Sequence, residues 1–225
     1  MERQTMQRIG IMGGTFDPIH YGHLMIAENA REQFGLGKVL FLPTGHSPHK
    51  QAQDVTASFH RCQMVSLAIA GNPAFFIDQT EVESQGTSYT YLTIKKLKEH
   101  NPGADLFFIL GADSLFDFES WKEPAAIIEH CNILAAHRKH QHQEKFFQQI
   151  DYLNQKYQEK FFPLDTPNLE VSSQDIRSRL HYGRTIRYLV PEEVEAYIRA
   201  NHLYEGDGLD DETGRNRKKA EKGTG

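Results

Sequence analysis

The chain has 225 residues, with 25 Lys and Arg against 30 Asp and Glu, and its formal net charge is -5. A chain of this length buries about 70% of the surface that its unfolded form exposes, so it needs no disulfide or structural metal for stability. The acidic balance argues against a nucleic-acid-binding protein, which requires a basic face. It is compatible with a small anionic ligand held by a few local donors.

Cysteine content and hydropathy exclude further classes of protein. Cys62 and Cys131 lie in apolar stretches and form no CxxC pair, which favours buried free thiols over a disulfide or a zinc site. No apolar run approaches the roughly 18 residues of a membrane span, and residues 1–10 lack the apolar segment of a signal peptide. We therefore expect a cytoplasmic protein that does not contact a membrane.

Apolar, β-rich segments alternate with segments of helical periodicity along the chain. Strands are predicted at 8–14, 38–43, 74–82, 104–110 and 131–138. Helices are predicted at 22–34, 57–72, 88–100, 111–130 (short helices interrupted at Pro124) and 144–157. This alternation is typical of a parallel sheet covered by helices on both faces. We predict one Rossmann-like, doubly wound α/β domain over 1–204 with a small helical C-terminal portion, followed by a disordered tail over 205–225.

Ligands of such sheets bind beyond the carboxyl ends of the strands, where the strand order reverses. Glycine and polar residues follow four of the predicted strands, at 13–14, 43–50, 111–113 and 137–140. We therefore expect the functional residues to lie in the segments that follow strands.

The motif GGTFDPIHYGH, residues 13–23, follows the first predicted strand. Its glycines let a ligand approach the backbone closely, and Pro18 prevents the next helix from beginning before it. A helix that begins near His20 offers free N–H groups to an anion. His20 and His23 lie on one face of its first turn, as donors suited to phosphate oxygens. Structural histidines, or half of a zinc site without a third ligand nearby, remain alternatives.

A second motif, VSSQDIRSRL at residues 171–180, opens another predicted helix. Ser172 or Ser173 is a natural N-cap, and Arg177 adds a planar charge suited to phosphate. The hydroxyls, the backbone donors and the guanidinium together would form a second anion site. An ordinary capped surface helix is the alternative for this motif on its own.

Together the two motifs resemble those of the HxGH nucleotidyltransferase superfamily, and within it the chain is similar to the bacterial nicotinate-nucleotide adenylyltransferases. The second signature, SSQDIR, differs from that of the family in having Gln174 where Thr is usual. The resemblance extends from Ile9 to Tyr204, and further family segments follow in order between the two signatures: PHK at 48–50, SYTYLT at 88–93, GADSL at 111–115, Trp121 and AAHR at 135–138.

The resemblance implies transfer of the adenylyl group of ATP to nicotinate mononucleotide, with release of pyrophosphate. The attacking phosphate has its second pKa near 6, so it needs no general base, and positioning with electrostatic stabilisation can carry the reaction. Mg²⁺ is expected on the phosphate oxygens, held by phosphate and water rather than by protein ligands. We expect no metal site in the protein itself. The oligomeric state stays open, a homodimer included.

The resemblance also implies site residues. Those assigned to catalysis are His20, His23 and Arg177. Those assigned to ATP are Gly13, Gly14, Thr15, Phe16, Arg138, Ser172 and Ser173. Those assigned to the mononucleotide are Lys50, Thr90, Asp113 and Trp121, the last by stacking on the pyridine ring. Each of the mononucleotide residues except Thr90 has a structural alternative: a solvated loop for Lys50, a helix cap for Asp113 and a core anchor for Trp121.

Two rival functions remain open at this point. A sister adenylyltransferase acting on nicotinamide mononucleotide or phosphopantetheine would share both signatures, although the phosphopantetheine branch usually carries Thr where this chain has His20. A non-catalytic nucleotide sensor would bind ATP without releasing pyrophosphate. The choice between nicotinate and nicotinamide depends on donors to a carboxylate, which the sequence does not define.

Overall fold

The computed structural model describes residues 7–45, 55–84, 86–138 and 143–206. Within them, six parallel strands form one Rossmann-like sheet in the order β3–β2–β1–β4–β5–β6. The strands are β1 (Arg8–Gly14), β2 (Lys38–Pro43), β3 (Phe75–Ile77), β4 (Asp105–Gly111), β5 (Asn132–Arg138) and β6 (Phe161–Thr166). The strand order reverses between β1 and β4, so the crevice at which such sheets bind ligands lies at their carboxyl ends.

Helices cover both faces of this sheet, as the sequence predicts. They are α1 (Tyr21–Phe34), α2 (Ser58–Ile69), α3 (Thr80–Glu83), α4 (Thr90–His100), α5 (Ala112–Asp117), α6 (Pro124–His130), α7 (Gln143–Tyr157), α8 (Ser173–His181) and α9 (Glu192–Ala200). A 3₁₀ turn, Phe118–Ser120, connects α5 towards α6.

Two apolar clusters lie on the opposite faces of the sheet. We call the face covered by α1, α2, α8 and α9 the first face; Met64, Ile176 and Val194 belong to its cluster. We call the face covered by α4 to α7 the second face; Ile94 and Leu115 belong to its cluster. Successive side chains of a strand alternate between faces, and each face of the sheet therefore has its own core.

Several local predictions are confirmed by the structure. The bounds of β1 and β2 match the predicted segments, and Ser172 is the N-cap of α8. Helix α1 begins after its N-cap, His20, and ends at Gly35, whose φ of 58° is left-handed. Glycine adopts that conformation without the steric cost that a Cβ would impose. Both cysteines are buried and free.

One predicted strand was too long, and one strand was missed. The third strand ends at Ile77 rather than at 82, because Asp78 Oδ1 accepts a hydrogen bond from the Thr80 N–H (2.9 Å) and opens α3. Strand β6 was not predicted, because Pro163 lies at its middle; it is an edge strand paired with β5 only, where a missing N–H is tolerated. The short helices predicted over 111–130 are confirmed as α5 and α6, and Pro124 begins the second of them, since its fixed φ suits the first helical position.

In the described part of the chain, no helix has both the length and the apolar composition that are needed to cross a membrane. Residues 207–225 of the predicted tail lie outside the described residues. The single domain over 1–204 stays a prediction.

Candidate active site

A cavity of about 670 Å³ lies at the carboxyl ends of β1, β2 and β4. It occupies the switch point of the strand order, where the sequence predicts the ligand. Ten of the predicted site residues line it: Gly13, Gly14, Thr15, His20, His23, Thr90, Asp113, Trp121, Ser172 and Ser173. The resemblance therefore selects residues that the fold brings together from six separate segments.

The two histidines of the first motif form a stacked pair at the start of α1. Their ring centroids are 3.7 Å apart, and the Phe16 ring packs against His23 at 5.1 Å between centroids, with the two ring planes nearly perpendicular. The backbone N–H of His20 donates to His23 Nδ1 at 3.3 Å. Because Nδ1 accepts this bond, the neutral His23 ring carries its hydrogen on Nε2, which leaves that N–H to donate to a ligand.

The close approach of the His20 ring explains why a glycine lies between the two histidines, at position 22. A Cβ at this position would lie 2.9 Å from His20 Nδ1 and 3.0 Å from His20 Cε1. The His20 ring therefore occupies the space that any other residue at position 22 would need.

We expect Gly22→Ala to displace the His20 ring and to lower kcat by about tenfold to a hundredfold, because a misplacement of about 1 Å at a reacting centre has this effect. The helix itself should gain slightly, since Ala is the better helix former. Steady-state kinetics together with a thermal melt check this expectation. A variant with unchanged kcat and an unchanged melt would contradict it.

Burial controls the charge of the histidine pair. His20 is 6% exposed, and loss of hydration lowers its pKa to about 4. The pKa of His23 is lowered well below 6.5, first by burial and then by the charge of His20. Both rings are thus neutral donors near pH 7. An anionic ligand beside them would favour their charged forms.

This lowered pKa makes the stability of the free protein depend on pH. Between pH 6.5 and 4 the unfolded chain binds more protons at His20 than the folded chain does, so the free energy of unfolding falls as the pH drops through that window. We expect a loss of about 2 kcal/mol from His20 between pH 7 and pH 5. Urea unfolding of the wild type and of His20→Asn at both pH values measures it, and an equal pH dependence in the two proteins would contradict it.

The second motif packs against the first. Ser172 Oγ accepts the Asp175 N–H at 3.1 Å and caps α8. Ser173 Oγ donates to Pro18 O and Arg177 Nη1 donates to Asp17 O, both at 2.8 Å. Segments about 155 residues apart therefore form one unit, in which the Arg177 guanidinium contacts the loop after β1 and is not part of the cavity wall.

Arg61 is a structural centre of the site that the sequence analysis missed. It is 2% exposed, and its guanidinium donates to three carbonyls: Thr15 O at 2.8 Å, Thr44 O at 2.9 Å and Thr56 O at 2.9 Å. It thereby joins the loops that follow β1 and β2. An arginine within the apolar periodicity of α2 was the available signal, because such a charge is buried only when it is bonded.

Asp17 extends this network to the C-terminal part of the chain. Its Oδ1 accepts the Tyr204 O–H at 2.6 Å, and its Oδ2 accepts the Thr56 N–H at 3.3 Å. Burial and the Asp17 carboxylate raise the pKa of Tyr204 far above its usual range. The phenol therefore stays a donor at any working pH and holds the loop in place.

The second-face end of the cavity is aromatic. The half-buried Trp121 packs its ring against Phe108 and Phe118, with centroids 5.9 and 5.5 Å away, and also lines the cavity. It thus serves as a packing anchor and as cavity wall together. Two charged lining residues that the sequence analysis missed are Lys122 and Glu81. Burial raises the pKa of Glu81, whose Oε1 accepts the Thr93 hydroxyl at 2.9 Å.

The remaining predicted site residues, besides Arg177, are Lys50, Arg138 and Phe16. Lys50 lies outside the described residues. Arg138 is the last residue of β5. The Phe16 ring is 1% exposed and packs between His23 and Phe41. It supports the histidine pair and does not line the cavity.

Comparison with known proteins agrees with this geometry. The cytidylyltransferase-like family profile matches residues 11–179. A "Probable nicotinate-nucleotide adenylyltransferase" of Thermoanaerobacter sp. (strain X514) is 41% identical over 208 residues, which span 92% of this chain and 98% of the relative. The chain belongs to the nicotinate-nucleotide adenylyltransferase family. A family member of the same printed name from Lachnoclostridium phytofermentans is 40% identical over 88% of this chain and all of the relative.

Solved structures support the fold of this nicotinate-nucleotide adenylyltransferase family member. Plasmodium falciparum nicotinic acid mononucleotide adenylyltransferase, complexed with NaAD, superposes with a TM-score of 0.72 at 23% identity. The match covers 88% of this chain and 97% of that one. The same protein complexed with APC gives a TM-score of 0.70 over the same shares.

Proposed function

We propose that the chain transfers the adenylyl group of ATP to nicotinate mononucleotide, giving nicotinate adenine dinucleotide and pyrophosphate in NAD biosynthesis. The observation that carries this proposal is the stacked pair His20 and His23 at a helix start, in one cavity with Trp121. Relatives about 40% identical over most of the chain bear the name of this enzyme. ATP is a cytoplasmic substrate, and we place the activity there.

The proposed chemistry is an in-line displacement at phosphorus. An oxygen of the mononucleotide phosphate attacks the α-phosphorus of ATP. The bond from that phosphorus to the oxygen that bridges the α- and β-phosphates breaks, and this oxygen leaves as a terminal oxygen of pyrophosphate. His23 Nε2–H and the His20 ring donate to oxygens of the transferring group, on which negative charge grows. The Ser172 hydroxyl and the backbone N–H groups at the start of α8, at Ser173, bind the leaving phosphates. Gly13 and Gly14 leave space for the nucleotide against β1.

We propose that Arg177 supports this chemistry by binding the loop that follows β1. Its Nη1 donates to Asp17 O. The guanidinium therefore binds this backbone carbonyl. The positive charge beside the loop also favours anions in the cavity. We therefore propose Arg177 as a residue that positions this loop, next to the groups that are proposed to bind ATP.

We propose that the metal ion of the reaction arrives bound to the phosphates of ATP. Among them, no group of three or more His, Cys, Asp or Glu side chains is placed to hold a metal. Mg²⁺ keeps several waters and binds substrate phosphates readily, and bound there it neutralises phosphate charge. We propose Mg²⁺–ATP as the substrate form, with the ion held by phosphate and water.

The decisive experiment measures pyrophosphate release with ATP and Mg²⁺, with nicotinate mononucleotide and nicotinamide mononucleotide supplied in parallel. Rapid release with the nicotinate substrate is expected. Release only with the nicotinamide substrate would assign the chain to a sister specificity. Binding of ATP without release from either would contradict the enzymatic function and favour a sensor.

A further inference from the structure

The peptide group between Thr44 and Gly45 lies between two buried side chains of opposite charge. Its carbonyl oxygen, on Thr44, accepts a hydrogen bond from the Arg61 guanidinium at 2.9 Å. Its N–H, on Gly45, donates to the Glu81 carboxyl group. Arg61 is 2% exposed and Glu81 is 7% exposed. One peptide group therefore connects a cation on α2 to a carboxyl group on α3.

The loop that follows β2 lies directly against α3 at this peptide group. A Cβ at Gly45 would lie 2.2 Å from the Glu81 backbone oxygen and 2.9 Å from Ser88 Oγ. The first of these distances is far shorter than any van der Waals contact, and the atom in the way belongs to the backbone. A glycine is therefore needed at position 45 for the loop to approach Glu81 this closely.

The Glu81 carboxyl group is bound by hydrogen-bond donors of the protein itself. Besides the Gly45 N–H, the Thr93 hydroxyl donates to its Oε1 at 2.9 Å, and the Ser88 side chain also bonds to it. Within the described residues, no ion pair joins Glu81 to a cation. Since both proposed substrates are anions, a carboxyl group in the cavity wall is unsuited to bind them. Its hydrogen bonds instead fit a role in holding the protein's own segments in place.

The peptide group between Thr44 and Gly45 is also bonded to the neighbouring strand at the cavity. The Thr44 N–H donates to Gly14 O, at the end of β1, at 2.9 Å. Gly14, Thr44 and Glu81 all line the cavity. Hydrogen bonds at the two ends of one peptide group polarise it and strengthen each other. The loss of either Arg61 or Glu81 should therefore weaken the bond that the other one makes.

We propose that Glu81 is a positioning residue that acts together with Arg61 on the peptide group between Thr44 and Gly45, and that the two side chains align this part of the cavity wall for the reaction. We call Arg61, this peptide group and Glu81 the peptide clamp. Its effect on catalysis rests on the proposed function, whereas its effect on the loop does not. Because both side chains act on one group, the effects of removing them should not multiply.

The first measurement follows the Gly45 amide by NMR and hydrogen exchange without substrate. In the wild type this N–H should exchange at least about tenfold more slowly than an unbonded amide. Glu81→Gln and Arg61→Met should each reduce the protection and shift the amide proton upfield. Glu83→Gln, at an exposed carboxylate on the same helix, is the matched control and should change neither. An unprotected Gly45 amide in the wild type would overturn the proposal, however the variants fold.

The second measurement compares kcat and KM of the wild type, the two single variants and the double variant, at a temperature where all four are folded. Glu81→Gln should lower kcat by about tenfold, and Glu83→Gln should not lower it. The double variant should lie within about twofold of Arg61→Met alone.

Other kinetic results would contradict the peptide clamp. Losses that multiply in the double variant would show that Glu81 and Arg61 act independently. A lower KM for both anionic substrates at unchanged kcat in Glu81→Gln would show that Glu81 contributes only its charge to the cavity. A wild type with a protected Gly45 amide that releases no pyrophosphate with either mononucleotide would refute the proposed function instead, and the clamp would stand as a feature of the loop.

Discussion

His23→Ala is expected to lower kcat by about a hundredfold to a thousandfold, the usual effect of removing one preorganised donor from a developing negative charge. The His23 ring is held by Phe16 and by the bond from the His20 N–H, so its Nε2–H is aligned before substrate arrives. The variant also removes the ring against which His20 stacks, which loosens the second donor. Steady-state and single-turnover measurements of pyrophosphate release give kcat and the chemical step.

The fold should tolerate this change. A half-buried imidazole whose charged form is disfavoured adds little to folding, and we expect the free energy of unfolding to change by less than about 1 kcal/mol at pH 7. His100→Ala, at an exposed histidine near the end of α4, is the matched control and should keep the wild-type kcat. A folded His23→Ala with wild-type kcat would remove His23 from the catalytic machinery.

The parts of the fold with repeated local signals were predictable from the sequence. Continuous apolar strands, a helix that could not begin before Pro18, and the predicted end of that helix at 34, before a left-handed Gly35, each have one local physical cause. The segments without such a signal were missed. Pro163 made β6 look unlike a strand, although the edge of the sheet tolerates it.

The residues of the candidate site also fall into a predictable group and a group that was missed. Many residues that line the cavity occur in short motifs, so the cavity wall around His20 and Ser172 could be named from the resemblance. The residues that hold those motifs in place act over long sequence distances and have no motif. The bond from Tyr204 to Asp17 spans 187 residues, and that from Arg61 to Thr15 spans 46. A single sequence does not indicate such pairs, because each partner alone looks ordinary.

We expect the second large effect from Arg61→Met, which should lower both the free energy of unfolding and kcat. The variant leaves the carbonyls of Thr15, Thr44 and Thr56 without their donor. Each buried polar group that loses its partner costs about 1–3 kcal/mol, so we expect the free energy of unfolding to fall by about 3–5 kcal/mol. Urea unfolding at pH 7 measures this loss. Arg199→Met, which removes an exposed i,i+4 pair with Glu195, should cost less than about 1 kcal/mol.

The change in kcat distinguishes a role of Arg61 in positioning the site from a role in stability alone. Thr15 and Thr44 line the cavity in the loops that follow the adjacent strands β1 and β2, so releasing their carbonyls loosens two walls of the site at once. We expect kcat of Arg61→Met to fall by at least about tenfold at a temperature where the variant is fully folded. Arg61→Lys should recover part of the stability but little of kcat, because one ammonium cannot reproduce a planar guanidinium that reaches three carbonyls. Recovery of both by lysine would show that the site needs only a buried charge there, and a destabilised Arg61→Met with wild-type kcat would confine Arg61 to folding.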